Sequence, residues 1–315
     1  MNAEARDASA DVTPERVTFT ANGEEVVGYL YLPRNESPPH ACLVMGHGFC
    51  GTQGLLTAHA GDFVGAGIAV LTFDYRSFGE SGGSPRQIID IKGQREDWRA
   101  AIGYARSRHE IDADRIGLWG SSLGGTHTIF IAADDPKVAA VVAQIPYAGP
   151  PKESVGRTKA QVRKIMWLAL KDRLRGMLGR SPLYVEAIGS ADEGAILVDP
   201  HAMTVVESLD PEHARTWKNQ VAPRIVFDLL GVKPVKVAHK VAAPLLVTIA
   251  EGDTEAPIYL TRELARRAPR GEADEYPTTH YEMYQPQWRQ KARARQIEFL
   301  RKHLLGITEP LSTAG

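Results

Sequence analysis

Two adjacent serines lie between glycines in the stretch RIGLWGSSLGG, residues 115–125. The pattern Gly-x-Ser-x-Gly fits one register, in which Ser122 lies between Gly120 and Gly124. In the register of Ser121 the two flanking positions hold a tryptophan and a leucine. The pattern is typical of a tight strand-to-helix turn that exposes a serine oxygen at a helix N-terminus, whose free N–H groups favour developing negative charge. Ser122 is therefore the candidate nucleophile.

A serine needs a base to react near neutral pH, and the base needs an orienting acid, both of which are expected later in the chain. His280 lies in a loop after the last weak strand, whereas His303 lies within the closing helix, so His280 is the expected base. Asp253 is the expected acid because a glycine permits the turn before it and a short carboxylate suits the usual geometry. Glu251 and Glu255 remain competitors, and helix capping is the alternative role for Asp253.

Two backbone N–H groups are expected to bind the oxyanion that the attack creates. One belongs to Leu123, the residue after the nucleophile, and the other to Phe49 in the glycine-rich loop MGHGFCGTQG, residues 45–54. We expect His47 to shape this loop rather than to act as the base. Cys50 is not expected to act as a thiol nucleophile, because no strand-to-helix turn surrounds it.

The elements around these residues must bring several loops to one edge of a sheet. Short apolar runs alternate with amphipathic stretches, which predicts a mostly parallel sheet with helices on both faces. Active sites in such sheets form at the carboxyl ends of the strands. Asn22 and Gly23 predict a hairpin near the N-terminus. The later predicted strands are HACLVMGHG, GIAVLTFDY, DRIGLWG, VAAVVAQIP, PLLVTIAEGD and the weaker GEADEYP.

One segment, residues 150–230, interrupts this alternation and is predicted to be a helical cap inserted into a core formed by residues 1–149 and 231–315. Its first part is rich in Lys and Arg, and residues 181–214 carry only acidic charges. We interpret these parts as two solvated helical faces of opposite sign; a basic patch for an anionic substrate or a phosphopantetheine carrier is the alternative. Burial statistics favour packing for most of the large cap side chains, and a few of them are expected to line an apolar acyl site. The candidates are Met166, Trp167, Met177, Leu178, Tyr184, Met203 and Trp217.

Composition argues for an ordinary soluble globular protein. Of the 315 residues, 43 % are hydrophobic and 24 % charged, and the net charge of −1 gives no field that would attract nucleic acid. No apolar run is long enough to span a membrane, and the stretch MNAEARDASADV does not resemble a signal peptide. Cys42 and Cys50 do not imply a disulfide scaffold, so a cytoplasmic location is expected.

Known cofactor motifs are absent from the sequence. It contains no His-Glu-x-x-His, no Cys-x-x-Cys and no dinucleotide-binding glycine pattern, so neither a metal nor another cofactor is expected. The expected partner is a small-molecule substrate, with no nucleic acid and no membrane span. Homo-oligomerisation is left open.

Together, the motifs resemble the α/β-hydrolase superfamily. The matching residues are His47-Gly48-Phe49, the stretch FDYRSFGESGG at 73–83, the glycines and serines of 120–124, Gly252-Asp253 and His280. The stretch at 73–83 and the cap placement resemble bacterial esterase-like hydrolases related to the X-prolyl peptidase and dienelactone hydrolase branches, and fungal polyketide-transferase-like hydrolases. Ser77 departs from this pattern, because relatives usually carry glycine there.

The resemblance implies hydrolysis through a covalent acyl-enzyme. A carboxylic ester with an apolar acyl or alcohol group is the first expected substrate class. Thioester cleavage or acyl transfer on a polyketide is the second, and cleavage of a small peptide is the third. A catalytically silent ligand-binding protein on the same fold is the alternative outside enzymes.

Overall fold

The computed structural model describes residues 13–34, 36–152, 156–199, 201–207 and 215–308. Residues 1–12, on which the expectation about a signal peptide depends, lie outside these ranges, as does part of the acidic half of the expected cap. Within the described ranges, eight strands form one sheet. The strands are β1 (Glu15–Ala21), β2 (Glu24–Tyr31), β3 (His40–Gly46), β4 (Ala69–Phe73), β5 (Ile111–Ser121), β6 (Ala140–Gln144), β7 (Leu245–Ala250) and β8 (Gly271–Tyr276).

The sheet has the order β1-β2-β4-β3-β5-β6-β7-β8. Strands β1 and β2 form the antiparallel hairpin that Asn22 and Gly23 predicted, with positive φ at both turn residues. Strand β2 pairs antiparallel with β4, and every later neighbouring pair is parallel. All seven residues of β3 are buried, as expected where helices cover both faces of a parallel sheet. The predicted α/β class is therefore confirmed, with an antiparallel edge.

Helices flank this sheet. Helix α2 (Ile91–Ser107) buries Trp98, Ala101, Ile102 and Ala105, the residues whose spacing predicted it. Its N-cap residue, Asp90, accepts a backbone N–H of the first turn with its carboxylate. No helix in the described ranges is long and apolar enough to cross a membrane. The α-helices of the described residues are α1 (Thr57–Gly65), α2 (Ile91–Ser107), α3 (Leu123–Asp134), α4 (Lys159–Met177), α5 (Ala202–Glu207), α6 (Ile225–Gly231), α7 (Ile258–Arg267) and α8 (Pro286–Leu300).

The long connection between β6 and β7 contains α4, α5 and α6. Helix α4 carries most of the basic charges, but the acidic stretch 181–199 is irregular, so the expectation of a second helical face was wrong there. Gly194, at a φ of 91°, lies in a conformation that a helix does not contain. A buried ion pair ties the connection together, because the carboxylate of Asp172 accepts hydrogen bonds from the guanidinium of Arg224 and from the backbone N–H of Leu183.

Candidate active site

A sharp turn presents the serine between β5 and α3. Strand β5 ends at Ser121, helix α3 begins at Leu123, and Ser122 between them has φ 53° and ψ −119°. A positive φ is strained for a residue with a side chain, and such strain is often found where a backbone must hold a reactive group in one orientation. The structure therefore gives Ser122 the backbone conformation that the sequence pattern predicted.

The flanking glycines explain why one register is allowed. A methyl group on Gly120 would overlap the backbone of Gly124, and one on Gly124 would overlap the carbonyl oxygens of Gly46 and His47. The turn and the loop after β3 therefore pack backbone against backbone. The other serine, Ser121, is buried, and its hydroxyl lies 2.6 Å from the phenolic oxygen of Tyr284.

The predicted base lies beside the predicted nucleophile. Nε2 of His280 is 3.2 Å from Oγ of Ser122, and Nδ1 of the same ring is 2.7 Å from Oδ2 of Asp253. The imidazole and the carboxylate are both almost fully buried. Burial alone would lower the pKa of His280, but the charge of Asp253 and its hydrogen bond outweigh this effect and raise the pKa above its usual value.

Backbone contacts hold the acid and the histidine in register. The N–H of Gly252 donates to the carbonyl of Thr278 at 2.9 Å, which joins the loop after β7 to the loop after β8. Oδ1 of Asp253 accepts the backbone N–H groups of Glu255 and Ala256 at 2.8 and 2.7 Å. Asp253 thus both caps the following turn and contacts the histidine, so the two roles considered from the sequence coexist.

The two other acids near Asp253 differ in position. Glu251 is exposed, whereas Glu255 lines the pocket next to the histidine. Burial raises the pKa of Glu255 above its usual value. In the described residues, neither carboxylate forms a hydrogen bond with the imidazole.

The loop after β3 approaches the serine closely. A Cβ added to Gly48 would lie 3.2 Å from both the carbonyl oxygen of Ser121 and Cβ of Ser122. The N–H of the next residue, Phe49, and the N–H of Leu123 have no hydrogen-bond acceptor in the described part of the chain. Leu123 is also the first residue of α3, where N–H groups lack helical partners and attract negative charge.

His47 and Cys50 lie in the same loop, but neither is positioned to act as a base or a nucleophile. Burial lowers the pKa of His47 to about 4, and its ring packs edge-on against Tyr75 with centroids 4.5 Å apart. Burial also raises the pKa of the Cys50 thiol well above its usual value, which disfavours a thiolate. The third candidate set aside from the sequence, His303, packs against Phe299 near the C-terminus, away from the serine.

A cavity of about 190 Å³ opens over Ser122 and His280. Its walls come from the loop after β3 and the connection between β6 and β7, together with β5, α1 and the segment after β8. Most of the lining is apolar, which suits a ligand with hydrocarbon groups. The apolar side chains that line it include Phe49, Leu55, Leu56, Ile188, Ile196, Leu197, Trp217 and Leu229.

Of the cap side chains considered from the sequence, most were expected to pack elsewhere and a few to line the cavity. Of the seven side chains expected as a source of pocket lining, Trp217 alone lines the cavity. Trp167, Met177 and Leu178 point outward from α4 or its end, with exposed fractions of 58, 78 and 69 %. The segment instead lines the cavity mainly from its irregular part, with further side chains from α5 and α6, which periodicity in the sequence did not reveal.

Sequence reasoning also missed several polar side chains of the cavity. They are His59, Tyr147, Tyr281 and Tyr284. His59 lies in α1 and Tyr147 follows β6, whereas Tyr281 and Tyr284 lie close together in the segment after β8. In the described residues, no group of three or more His, Cys, Asp or Glu side chains is arranged to hold a metal ion.

Comparison with known proteins gives a consistent result. A family model described as serine aminopeptidase, S33, matches residues 37–283. The chain is 37 % identical to the quorum-quenching protein AidA of Acinetobacter baumannii over 290 residues, which cover 92 % of this chain and 95 % of that protein. It is 34 % identical to the polyketide transferase ATR5 of Stachybotrys chlorohalonatus over 256 residues, 79 % of this chain and 83 % of that protein.

A solved structure is similar as well. The α/β hydrolase GrgF from a Penicillium species has a TM-score of 0.77 at 24 % identity, covering 93 % of this chain and 99 % of that chain. At this identity the likeness shows the fold alone. The resemblance to α/β hydrolases that the motifs indicated is therefore confirmed by sequence and by structure.

Proposed function

The chain belongs to the serine aminopeptidase S33 family of α/β hydrolases, and we propose that it hydrolyses carboxylic esters through an acyl-enzyme on Ser122. One observation carries the proposal: Ser122, His280 and Asp253 form a continuous hydrogen-bonded series, with distances of 3.2 and 2.7 Å, at the wall of an apolar cavity. This is the arrangement that activates a serine for attack on an acyl carbon.

In the first half of the reaction, Oγ of Ser122 attacks the ester carbonyl while Nε2 of His280 takes its proton. Asp253 keeps the other ring proton on Nδ1 and stabilises the imidazolium. The N–H groups of Phe49 and Leu123 bind the oxygen that becomes negative, because both lack an acceptor in the described residues. The tetrahedral intermediate then collapses, and His280 gives the proton to the departing alkoxide.

The second half repeats these steps with water. His280 removes a proton from a water molecule, the hydroxide attacks the acyl-enzyme carbonyl, and the same two N–H groups bind the oxyanion. Collapse returns the proton to Oγ of Ser122 and releases the carboxylic acid. The raised pKa of His280 suits this cycle, because the ring must both accept and return a proton.

We also propose that residues 150–230 act as a cap that sets selectivity for the acyl or alcohol group. The segment follows β6 directly, and Ile188, Ile196, Leu197 and Trp217 from it line the cavity. Binding against apolar walls stabilises a hydrocarbon group by roughly 25 cal/mol for each Å² of its surface that is removed from water. Substrates with an apolar group on either side of the ester are therefore expected to react best.

A second candidate is acyl transfer to an acceptor other than water, or cleavage of a thioester. It is favoured by the similarity to a protein named as a polyketide transferase. The proposed nucleophile, base and oxyanion donors would serve this reaction equally, since it also passes through an acyl-enzyme. The similarity to a protein named as quorum-quenching is consistent with a small signalling molecule as the substrate.

Activity profiling tests the proposal. Purified protein and its Ser122→Ala variant would be assayed on p-nitrophenyl esters, lactones, thioesters and aminoacyl amides, with product acid measured in each case. We expect the highest kcat/KM for esters or lactones and loss of turnover in the variant. Turnover of amides alone would instead identify a peptidase, and turnover that survives in the variant would overturn the proposal.

A further inference from the structure

Part of the cavity wall is polar, and the proposed mechanism does not use it. Ser121 and Tyr284 line this wall together with His59 and Trp119. Trp119 and Ser121 are two residues apart in β5, so their side chains lie on the same face of the sheet. The ring of His59 packs against Trp119 with centroids 4.8 Å apart, which places it on that face too.

A series of buried hydrogen bonds determines which groups donate and which accept along this wall. The indole N–H of Trp119 only donates, so the atom of Gln296 that it contacts at 2.9 Å is the amide oxygen. The amide nitrogen of Gln296 then donates to the amide oxygen of Gln144 at 3.0 Å. This leaves the amide nitrogen of Gln144 to donate to Oγ of Ser121 at 3.3 Å.

At the end of the series, two hydroxyl groups share one hydrogen bond. The oxygens of Ser121 and Tyr284 are 2.6 Å apart, and either hydroxyl can be the donor. The pair carries two protons, of which their mutual bond uses one. The described residues offer no acceptor for the second proton, and both hydroxyl-bearing residues line the cavity. Whichever way the pair is oriented, one O–H remains to donate into the cavity.

His59 adds a second donor. Burial and the charge of Arg293 hold the pKa of His59 well below its usual range, so the imidazole is neutral. The guanidinium of Arg293 lies 3.3 Å from Nδ1, and because it only donates, Nδ1 must be the acceptor. The ring proton is therefore on Nε2, for which the described ranges contain no hydrogen-bond acceptor.

We propose that Ser121, Tyr284 and His59 form a donor subsite that binds an acceptor oxygen on the acyl group of the substrate, as in an oxo-substituted acyl chain. A ketone oxygen suits the subsite because it accepts two hydrogen bonds and donates none. A plain methylene would leave both donors unpaired, which is costly in a buried site. Ser121 adjoins the nucleophile, so the oxygen is expected within a few carbons of the scissile carbonyl.

The inference rests on the proposed acyl hydrolysis and is tested by a ratio that is separate from it. Octanoate, 3-oxooctanoate and 5-oxooctanoate ethyl esters would be compared by kcat/KM, with each value divided by the rate of hydroxide hydrolysis to remove the electronic effect of the ketone. In wild type we expect one oxo ester to exceed octanoate by about tenfold after this correction, the effect of one well-placed hydrogen bond. In Ser121→Ala/Tyr284→Phe the corrected ratio should fall toward one.

Tyr147→Phe is the matched control. It removes another cavity hydroxyl, but one whose proton is already donated to the carbonyl of Leu229 at 3.2 Å, so the oxo preference should persist. His59→Phe provides a second variant if the double variant does not fold, and it should also reduce the preference.

Two readouts separate this inference from the proposed function. Labelling of Ser122 by a fluorophosphonate and turnover of octanoate report the hydrolase reaction, whereas the corrected ratio reports the donor subsite. An active wild-type enzyme with a corrected ratio of one at both positions would overturn the subsite and leave the hydrolase proposal intact. So would a ratio that stays the same in the double variant and in His59→Phe.

Discussion

Replacing Asp253 with asparagine exchanges one oxygen for nitrogen and keeps the shape of the side chain. The structure determines where that nitrogen goes. Two backbone N–H groups, from Glu255 and Ala256, already point at Oδ1, so the amide oxygen must remain there. The amide nitrogen therefore takes the position of Oδ2 and faces Nδ1 of His280. In the native protein, Oδ2 lies 2.7 Å from this ring nitrogen.

This exchange reverses the tautomer of the histidine. An amide nitrogen only donates, so Nδ1 of His280 must accept, and the ring proton moves to Nε2, the atom 3.2 Å from Oγ of Ser122. Nε2, which faces the serine, then has no lone pair with which to take the serine proton. We expect kcat/KM for a p-nitrophenyl ester to fall by about 10⁴-fold, which corresponds to about 5 kcal/mol of transition-state stabilisation.

The assay is steady-state hydrolysis with circular dichroism as the check on folding. Glu255→Gln is the matched control, because the backbone of Glu255 contacts Asp253 but its carboxylate has no bond to His280 in the described residues. We expect this control to lose less than about tenfold. The assignment of the acid would be refuted if a folded Asp253→Asn variant kept kcat/KM within about 10²-fold of wild type. It would also be refuted if Glu255→Gln lost as much kcat/KM as is expected for Asp253→Asn.

The remaining predictions concern the pH profile, the turn and the pocket wall. The neutral form of His280 is the base, so kcat/KM should fall as the pH drops through the raised pKa of His280. Asp253→Asn removes the charge that raises this pKa, so the fall in kcat/KM should occur at lower pH in the variant. A fall at the same pH in both proteins would contradict the effect of Asp253 on the pKa of His280. Gly124→Ala should lower kcat/KM by at least about 10²-fold, because the methyl overlaps the carbonyl of Gly46; activity near wild type in a folded variant would contradict this packing. Trp217→Ala should flatten the dependence of kcat/KM on acyl chain length, and an unchanged profile would show that this wall does not contact the acyl group.

Much of the architecture follows from local sequence signals. The hairpin requires positive φ at both turn residues, and Asn22-Gly23 provides it. The spacing of Gly120 and Gly124 selects the register of Ser122, because only glycine allows two backbones to pack so closely. Such features are readable because residues near each other in the chain determine them.

Other features depend on residues far apart in the chain. The contact between Ser121 and Tyr284 spans 163 residues, and the one between His59 and Arg293 spans 234. No periodicity or motif links these pairs, so the polar wall of the cavity was not predictable. Part of the cap lining was missed for a related reason: Ile188, Ile196 and Leu197 reach the site from irregular backbone, which has no helical period to read.

The proposed covalent intermediate on Ser122 can be tested by mass spectrometry after treatment with a fluorophosphonate. We expect one adduct per chain, located on the peptide that contains Ser122, retained in Ser121→Ala and absent in Ser122→Ala. An adduct on Ser121 or on another residue would rule out Ser122 as the nucleophile. So would a fully active enzyme that the probe neither labels nor inhibits.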